Sequence, residues 1–174
     1  MLKGAFERFK TPGSGQFINK ETIRDFAQKD PAMHPGQRDL IFLAQALDSR
    51  EGLLDAIDRH STTGALDNLI DMRKIQMTLN DPSPLTYHSD KQLAGEMLDH
   101  FRALRDRDYP DYINIDKLKE IAKWPTGDEG HGRLAWIAQE LLKRSQVKDQ
   151  MDGGDNWWGT DGWIHKSTLE KMFQ

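Results

Sequence analysis

The feature that most constrains this chain is a short step that occurs four times. Each copy is an apolar residue, an isoleucine and a residue suited to cap a helix, entered from a polar turn and followed by an amphipathic run. The four are Phe17-Ile18-Asn19, Leu69-Ile70-Asp71, Tyr112-Ile113-Asn114 and Trp163-Ile164-His165. An extended step this short cannot be a strand with a sheet of its own, so each predicts a bridge that a second copy completes, with a new helix starting at the cap. The last copy is the fullest, because Asp161-Gly162 supplies a sharp turn directly before Trp163-Ile164.

The steps fall into two pairs that repeat along the chain. A shift of 94 positions carries Pro31 onto Pro125, Gly36 onto Gly130, Leu40 onto Leu134 and Ala44-Gln45 onto Ala138-Gln139. The same shift carries Leu47 onto Leu141, Asp58 onto Asp152, Asp67 onto Asp161 and Ile70 onto Ile164. One further residue of offset aligns the earlier part, Phe6 with Phe101, Phe17-Ile18-Asn19 with Tyr112-Ile113-Asn114, and Ala27 with Ala122. Apolar period, breaker positions and bridge steps all agree, which predicts an internal duplication joined near Pro82-Ser83-Pro84.

A turn, an isoleucine that pairs with a partner loop, and a helix after it are the parts of an EF-hand. The expected fold is all-α, two tandem pairs of EF-hand-like helix-loop-helix units with short β-bridges between paired loops. Residues 1–81 form the first pair and residues 82–174 the second. Phe17-Ile18 should meet Leu69-Ile70, and Tyr112-Ile113 should meet Trp163-Ile164. Leu40, Leu43, Ala44 and Leu47, with Ile41 and Phe42 widening the stripe, give the first half its main core helix, and Leu134, Ile137, Ala138 and Leu141 serve the second. A helix after Asp71 should bury Ile75 and Leu79.

A calcium loop needs side-chain oxygens at its first, third and fifth positions and a bidentate glutamate at its twelfth. With each isoleucine at the eighth position, the twelfth is Thr22, Lys74, Lys117 and Thr168. None is acidic, so no cofactor is expected. The exception to weigh is Ca2+ in the fourth loop, where Asp152, Asp155, Asn156 and Asp161 could gather around a hard cation. The same loop holds Trp157 and Trp158, where folding alone would accept small polar residues; either ring could anchor a protein partner or fold back on the core.

Other chemistry finds little footing. The chain has no cysteine, which excludes disulfides, thiolate metal sites and cysteine nucleophiles. Its formal net charge of -4 carries no basic block, so no nucleic-acid partner is expected. The six histidines show no i, i+4 pair for zinc, and no nucleophile elbow, phosphate loop or dinucleotide fingerprint occurs. No stretch reaches the roughly 20 apolar residues of a membrane span, so no membrane insertion is expected. The first residues lack the apolar core of a Sec signal, so Sec export is not expected.

Leu40-Ile41-Phe42-Leu43-Ala44-Gln45 with Leu69-Ile70-Asp71, and Leu134-Ala135-Trp136-Ile137-Ala138-Gln139 with Gly162-Trp163-Ile164-His165, make a tandem pattern. It resembles the degenerate EF-hand-like repeats of the HrpF/NolX-type type III secretion translocators of plant-associated bacteria. Those proteins are larger and carry membrane-inserting segments that this sequence does not match. The resemblance implies a non-enzymatic module that works by protein contact in secretion or host interaction. With no Sec signal, it also implies secretion by a non-Sec route or residence in the bacterial cytoplasm. The alternatives are a calcium-responsive binding protein using the fourth loop and a small enzyme with its site between the halves.

Overall fold

The computed structural model describes residues 2–11, 13–50, 52–60, 63–127, 130–154 and 159–174; Asp155, Asn156, Trp157 and Trp158 therefore lie outside the described residues. The described chain is mostly helical, with two small antiparallel sheets. It divides into two compact units, Met1–Ser61 with Leu66–Pro82, and Thr62–Ala65 with Ser83–Gln174.

The first unit runs α1 (Leu2–Phe9), β1 (Ile18–Asn19), α2 (Lys20–Ala27), α3 (Arg38–Asp48), α4 (Leu53–Asp58), β2 (Leu69–Ile70) and α5 (Met72–Asn80). The expected bridge forms: β1 and β2 pair antiparallel, Ile18 with Ile70 and Asn19 with Leu69. Both isoleucines are fully buried and join Phe6, Phe9, Ile23, Leu40, Ala44, Leu47 and Ile75 in one core. The chain breaks between α3 and α4, where Gly52 takes a left-handed φ of 80°. That turn redirects α4, so Leu54 and Ile57 also reach the core.

The second unit contains α6 (Asp90–Asp99), α7 (Phe101–Leu104), β3 (Tyr112–Asn114), α8 (Ile115–Ile121), α9 (Gly132–Lys143), α10 (Ser145–Gly153), β4 (Trp163–His165) and α11 (Lys166–Phe173). β3 and β4 pair antiparallel, Ile113 opposite Ile164, Tyr112 opposite His165 and Asn114 opposite Trp163. Ile113 and Ile164 face a core that includes Leu93, Met97, Leu118, Ile137, Leu141 and Leu169. The long helix expected from Leu134 onward ends at Lys143, and Arg144 turns the chain into α10.

The residue after each bridge isoleucine caps the next helix. Asn19 accepts from Glu21 N–H, Asp71 from Lys74 N–H, Asn114 from Asp116 and Lys117 N–H, and His165 Nδ1 from Ser167 N–H. Such caps satisfy N–H groups that a helix start leaves orphaned. The Ala-Gln motif has one job in both units: Gln45 Nε2 donates to Ala27 O at 3.1 Å, and Gln139 Nε2 to Ala122 O at 2.7 Å. Each bond ties the core helix to the carbonyl end of the helix that follows the unit's first bridge.

Two apolar assignments are corrected. Phe42 is 53% exposed, because the buried stripe of α3 is Leu40, Ile41, Ala44 and Leu47. Leu79 is exposed too; α5 instead buries Lys74, Ile75 and Thr78, whose single hydroxyl hydrogen is shared between Ala56 O at 3.0 Å and Lys74 O at 2.9 Å.

Candidate functional site

The loops that end in the bridge steps are where polar groups converge. In the second loop, α4 ends on Asp58, and the chain returns through Asp67-Asn68-Leu69 to α5. Lys74, in the first turn of α5, sends its stem back across this loop and is only 7% exposed. Its ammonium donates to Asp58 O, Asp67 Oδ1 and Leu69 O, each at 2.7 Å. An ammonium has three N–H donors, and here each meets one loop oxygen. The twelfth-position side chain thus brings a positive charge to the middle of the loop.

The same loop holds an uncomfortable carboxylate. Asp58 is fully buried, and among the described residues neither of its carboxylate oxygens has a hydrogen-bond partner of good geometry. Lys20 Nζ lies 3.8 Å from Asp58 Oδ2 and also pairs with Asp55. Burial first, and the adjoining Asp67 carboxyl second, push the Asp58 carboxyl above its ordinary range, against the pull of Lys20, the Asn68 N–H and Lys74. Asp67 moves the other way. Partial burial works against it, but Lys74, the Leu69 N–H and Asp58 hold it below the usual carboxylate range.

The third loop is closed in a similar manner. Asp106 Oδ1 accepts from Asp108 N–H at 2.8 Å and Tyr109 N–H at 3.1 Å. Lys117, again at the twelfth position, donates from Nζ to Arg105 O at 2.5 Å.

The fourth loop keeps the acids and lacks the lysine. Asp152 lies in the last turn of α10 as Asp58 lies in the last turn of α4, and its Oδ1 accepts from Asp161 N–H and Gly162 N–H, both at 2.8 Å, and from Trp163 N–H at 3.3 Å. Asp161 Oδ1 accepts from Trp163 N–H at 3.0 Å. Gly162 has φ 87° and its counterpart Asn68 has φ 61°, so both loops make the same left-handed turn. Asp152, Asp161 and Thr168 border one pocket of about 270 Å3. The positions matching Lys20 and Lys74 are Ile115 and Thr168, neither of them charged.

Of the residues singled out from sequence, the structure thus brings Asp152 and Asp161 together, with Asp152 engaged in holding the loop. Asp155, Asn156, Trp157 and Trp158 are outside the described residues. Among the described residues no group of three or more His, Cys, Asp or Glu is placed to hold a metal ion. No described helix is long and apolar enough to cross a membrane.

Sequence reasoning missed the aromatic surface beside this loop. Trp163, in the step expected to meet Tyr112-Ile113, does meet that partner loop; it lies on the opposite side of β4 from Ile164 and is half-buried. Tyr109 and Tyr112 pack against it with ring centroids 5.4 and 6.2 Å away, at 68° and 85°. The signal was present in Asp108-Tyr109-Pro110-Asp111-Tyr112, two rings in a turn where the first half has Ser14 and Phe17.

Comparison with known proteins finds no family model, no curated protein and no solved structure that matches this chain.

Proposed function

We propose that the chain is a non-enzymatic protein-interaction module, built on paired, degenerate EF-hand-like repeats that work without metal, and that it serves type III secretion or host interaction in a bacterium. The observation that carries the metal-free reading is the Lys74 ammonium, which takes three loop oxygens where a calcium loop would present its twelfth-position carboxylate to an ion. Lys117 supports it in the third loop. With their charge supplied internally, these loops act as fixed joints between helices, and what they present to solvent is left for a partner. Trp157 and Trp158 are the proposed anchors, being large rings in a Gly-rich loop.

The test is a pull-down with the intact chain against host and bacterial extracts, beside a Trp157→Ala/Trp158→Ala variant. The expected outcome is a protein retained by the parent and lost from the variant, and export that stops when the type III ATPase is deleted. Equal retention by both would remove the anchors, and export without the ATPase would remove the secretion assignment.

A calcium-responsive fourth loop is the second reading, favoured by the pairing of Asp152 with Asp161 and by Thr168 standing where Lys74 stands in the second loop. Calcium titration followed by tryptophan fluorescence separates the two. A change saturating at micromolar calcium and lost in Asp161→Ala would overturn the metal-free reading; a flat titration supports it.

A further inference from the structure

We infer that the solvent face of the β3–β4 ribbon is a binding site for a small quaternary ammonium ligand of the choline type. The site is a pocket of about 290 Å3 bordered by Tyr109, Tyr112, Asp161 and Trp163. The proposed site does not rest on the protein-interaction reading and is built from these four described residues alone.

Its walls fit one kind of ligand. Trp163 is the shared wall, with Tyr112 standing nearly perpendicular to it and Tyr109 at 68°. Rings meeting at such angles form a corner rather than a stack, and a cation held within roughly 6 Å of a ring centroid is drawn to the negative face of the π-system. Asp161, on the same wall, adds a full negative charge. The neighbouring turn Asp106-Arg107-Asp108-Tyr109-Pro110-Asp111 carries three carboxylates against one guanidinium. His165 packs on Tyr112 with centroids 4.8 Å apart. Its Nδ1 accepts the Ser167 N–H at 3.1 Å.

A primary ammonium is strongly hydrated and needs hydrogen-bond acceptors. A trimethylated ammonium has no N–H to satisfy and sheds water easily, so aromatic faces with one carboxylate match it better. Two of the three rings are also not a requirement of the fold. The first unit closes a shorter ribbon with Ser14 and Leu69 where the second has Tyr109 and Trp163, keeping a ring at Phe17, and Leu69 is itself exposed. A fold that closes without those two rings leaves them free for recognition.

The experiment titrates the intact chain with choline, and in parallel with 3,3-dimethylbutan-1-ol, its neutral isostere, following the Trp163 indole N–H by NMR. Choline is expected to saturate in the range of about 0.1–10 mM and the isostere to bind at least about tenfold more weakly. Tyr109→Leu preserves apolar area while removing the ring, and Tyr109 is exposed in a turn held by backbone atoms, so the variant should fold. Its choline affinity is expected to fall about five- to thirtyfold. Asp161→Asn keeps an acceptor for the Trp163 N–H and should weaken choline but leave the isostere unchanged. A further arm with phosphatidylcholine vesicles separates a lipid headgroup, if the chain co-sediments, from a soluble ligand, if it does not. Equal affinity for choline and isostere, undiminished choline binding in Tyr109→Leu, or no shift of Trp163 at about 100 mM choline would each overturn the proposal.

Discussion

At the scale of single residues, Lys74 matters more than its place on an exposed-looking helix suggests. Replacing it by methionine keeps the stem and removes the ammonium, which leaves Asp58 O and Leu69 O without their donor and sets two carboxylates against each other. Breaking a buried ion pair costs about 3–5 kcal/mol. Asp67 is more than a third exposed, so the lower end, about 3 kcal/mol, is expected for Lys74→Met at pH 7 by urea unfolding. The pH dependence follows from the two shifts. Asp67 titrates lower folded than unfolded, so its stabilisation is complete above the unfolded pKa of about 3.9 and is lost as pH falls through the folded one. Asp58 titrates higher folded, so its ionised form is a burden at neutral pH that lifts as pH falls through its raised pKa. The deficit of Lys74→Met should therefore shrink as pH falls from 7 toward the unfolded carboxylate value of about 3.9. Asp58→Asn should stabilise the chain at pH 7, with the gain fading over the same interval. A deficit that grows on acidification would show that Lys74 does not neutralise these acids.

At the scale of elements, a buried staple holds the α9–α10 junction to the start of α6 and the segment before it. Arg144 is fully buried, with Nε and Nη2 on Glu140 Oε1 at 3.0 and 2.7 Å, Nη1 on Asp90 Oδ1 at 2.8 Å and Nη2 on Leu85 O at 3.3 Å. Arg144→Ala leaves the buried Glu140 with Lys143, 3.6 Å from its Oε2 and half-exposed, as its remaining cation among the described residues, and is expected to cost about 3 kcal/mol by urea unfolding. Arg144→Met/Glu140→Leu should recover most of that, because a well-packed apolar pair often matches a buried ion pair. A double variant as weak as the single would show that the loss comes from Asp90 and Leu85 rather than from the glutamate. No counterpart exists in the first half, where the matching positions are Arg50 and Ala46. The contrast explains what was legible in the sequence. Caps and bridge isoleucines could be read because a turn, a β-branched residue and a cap lie within a few positions of one another. The Lys74 site could be read only as a missing ligand, since its oxygens come from Asp58 and Leu69, brought together by the fold. Periodicity misplaced Leu79 because Thr78, able to bond two carbonyls, took the inner position. The meeting of Tyr112 with the Trp163 step could be read from the paired steps, but not the turn that brings Tyr109 onto the same ring.

At the scale of the whole molecule, the two units act as controls for each other. Both turn a left-handed residue, Asn68 or Gly162, beneath an aspartate in the last turn of a helix, Asp58 or Asp152, and both place a second aspartate, Asp67 or Asp161, in the same loop. One loop is neutralised by Lys74 and Lys20, while Thr168 and Ile115 occupy those places in the other. If the difference is a missing internal cation, Thr168→Lys should supply it, its ammonium reaching Asp161 as Lys74 reaches Asp67. A hydrogen bond to a charged group contributes about 1.5–3 kcal/mol, and holding a lysine side chain in one rotamer offsets up to about 2 kcal/mol. A net gain near 1 kcal/mol in urea unfolding is therefore expected. The same variant should abolish any fluorescence response to calcium, because the lysine and the ion would compete for one place. Loss of stability in Thr168→Lys would mean that the acids of the fourth loop are already satisfied by its backbone, and that the two loops are alike in shape but not in charge.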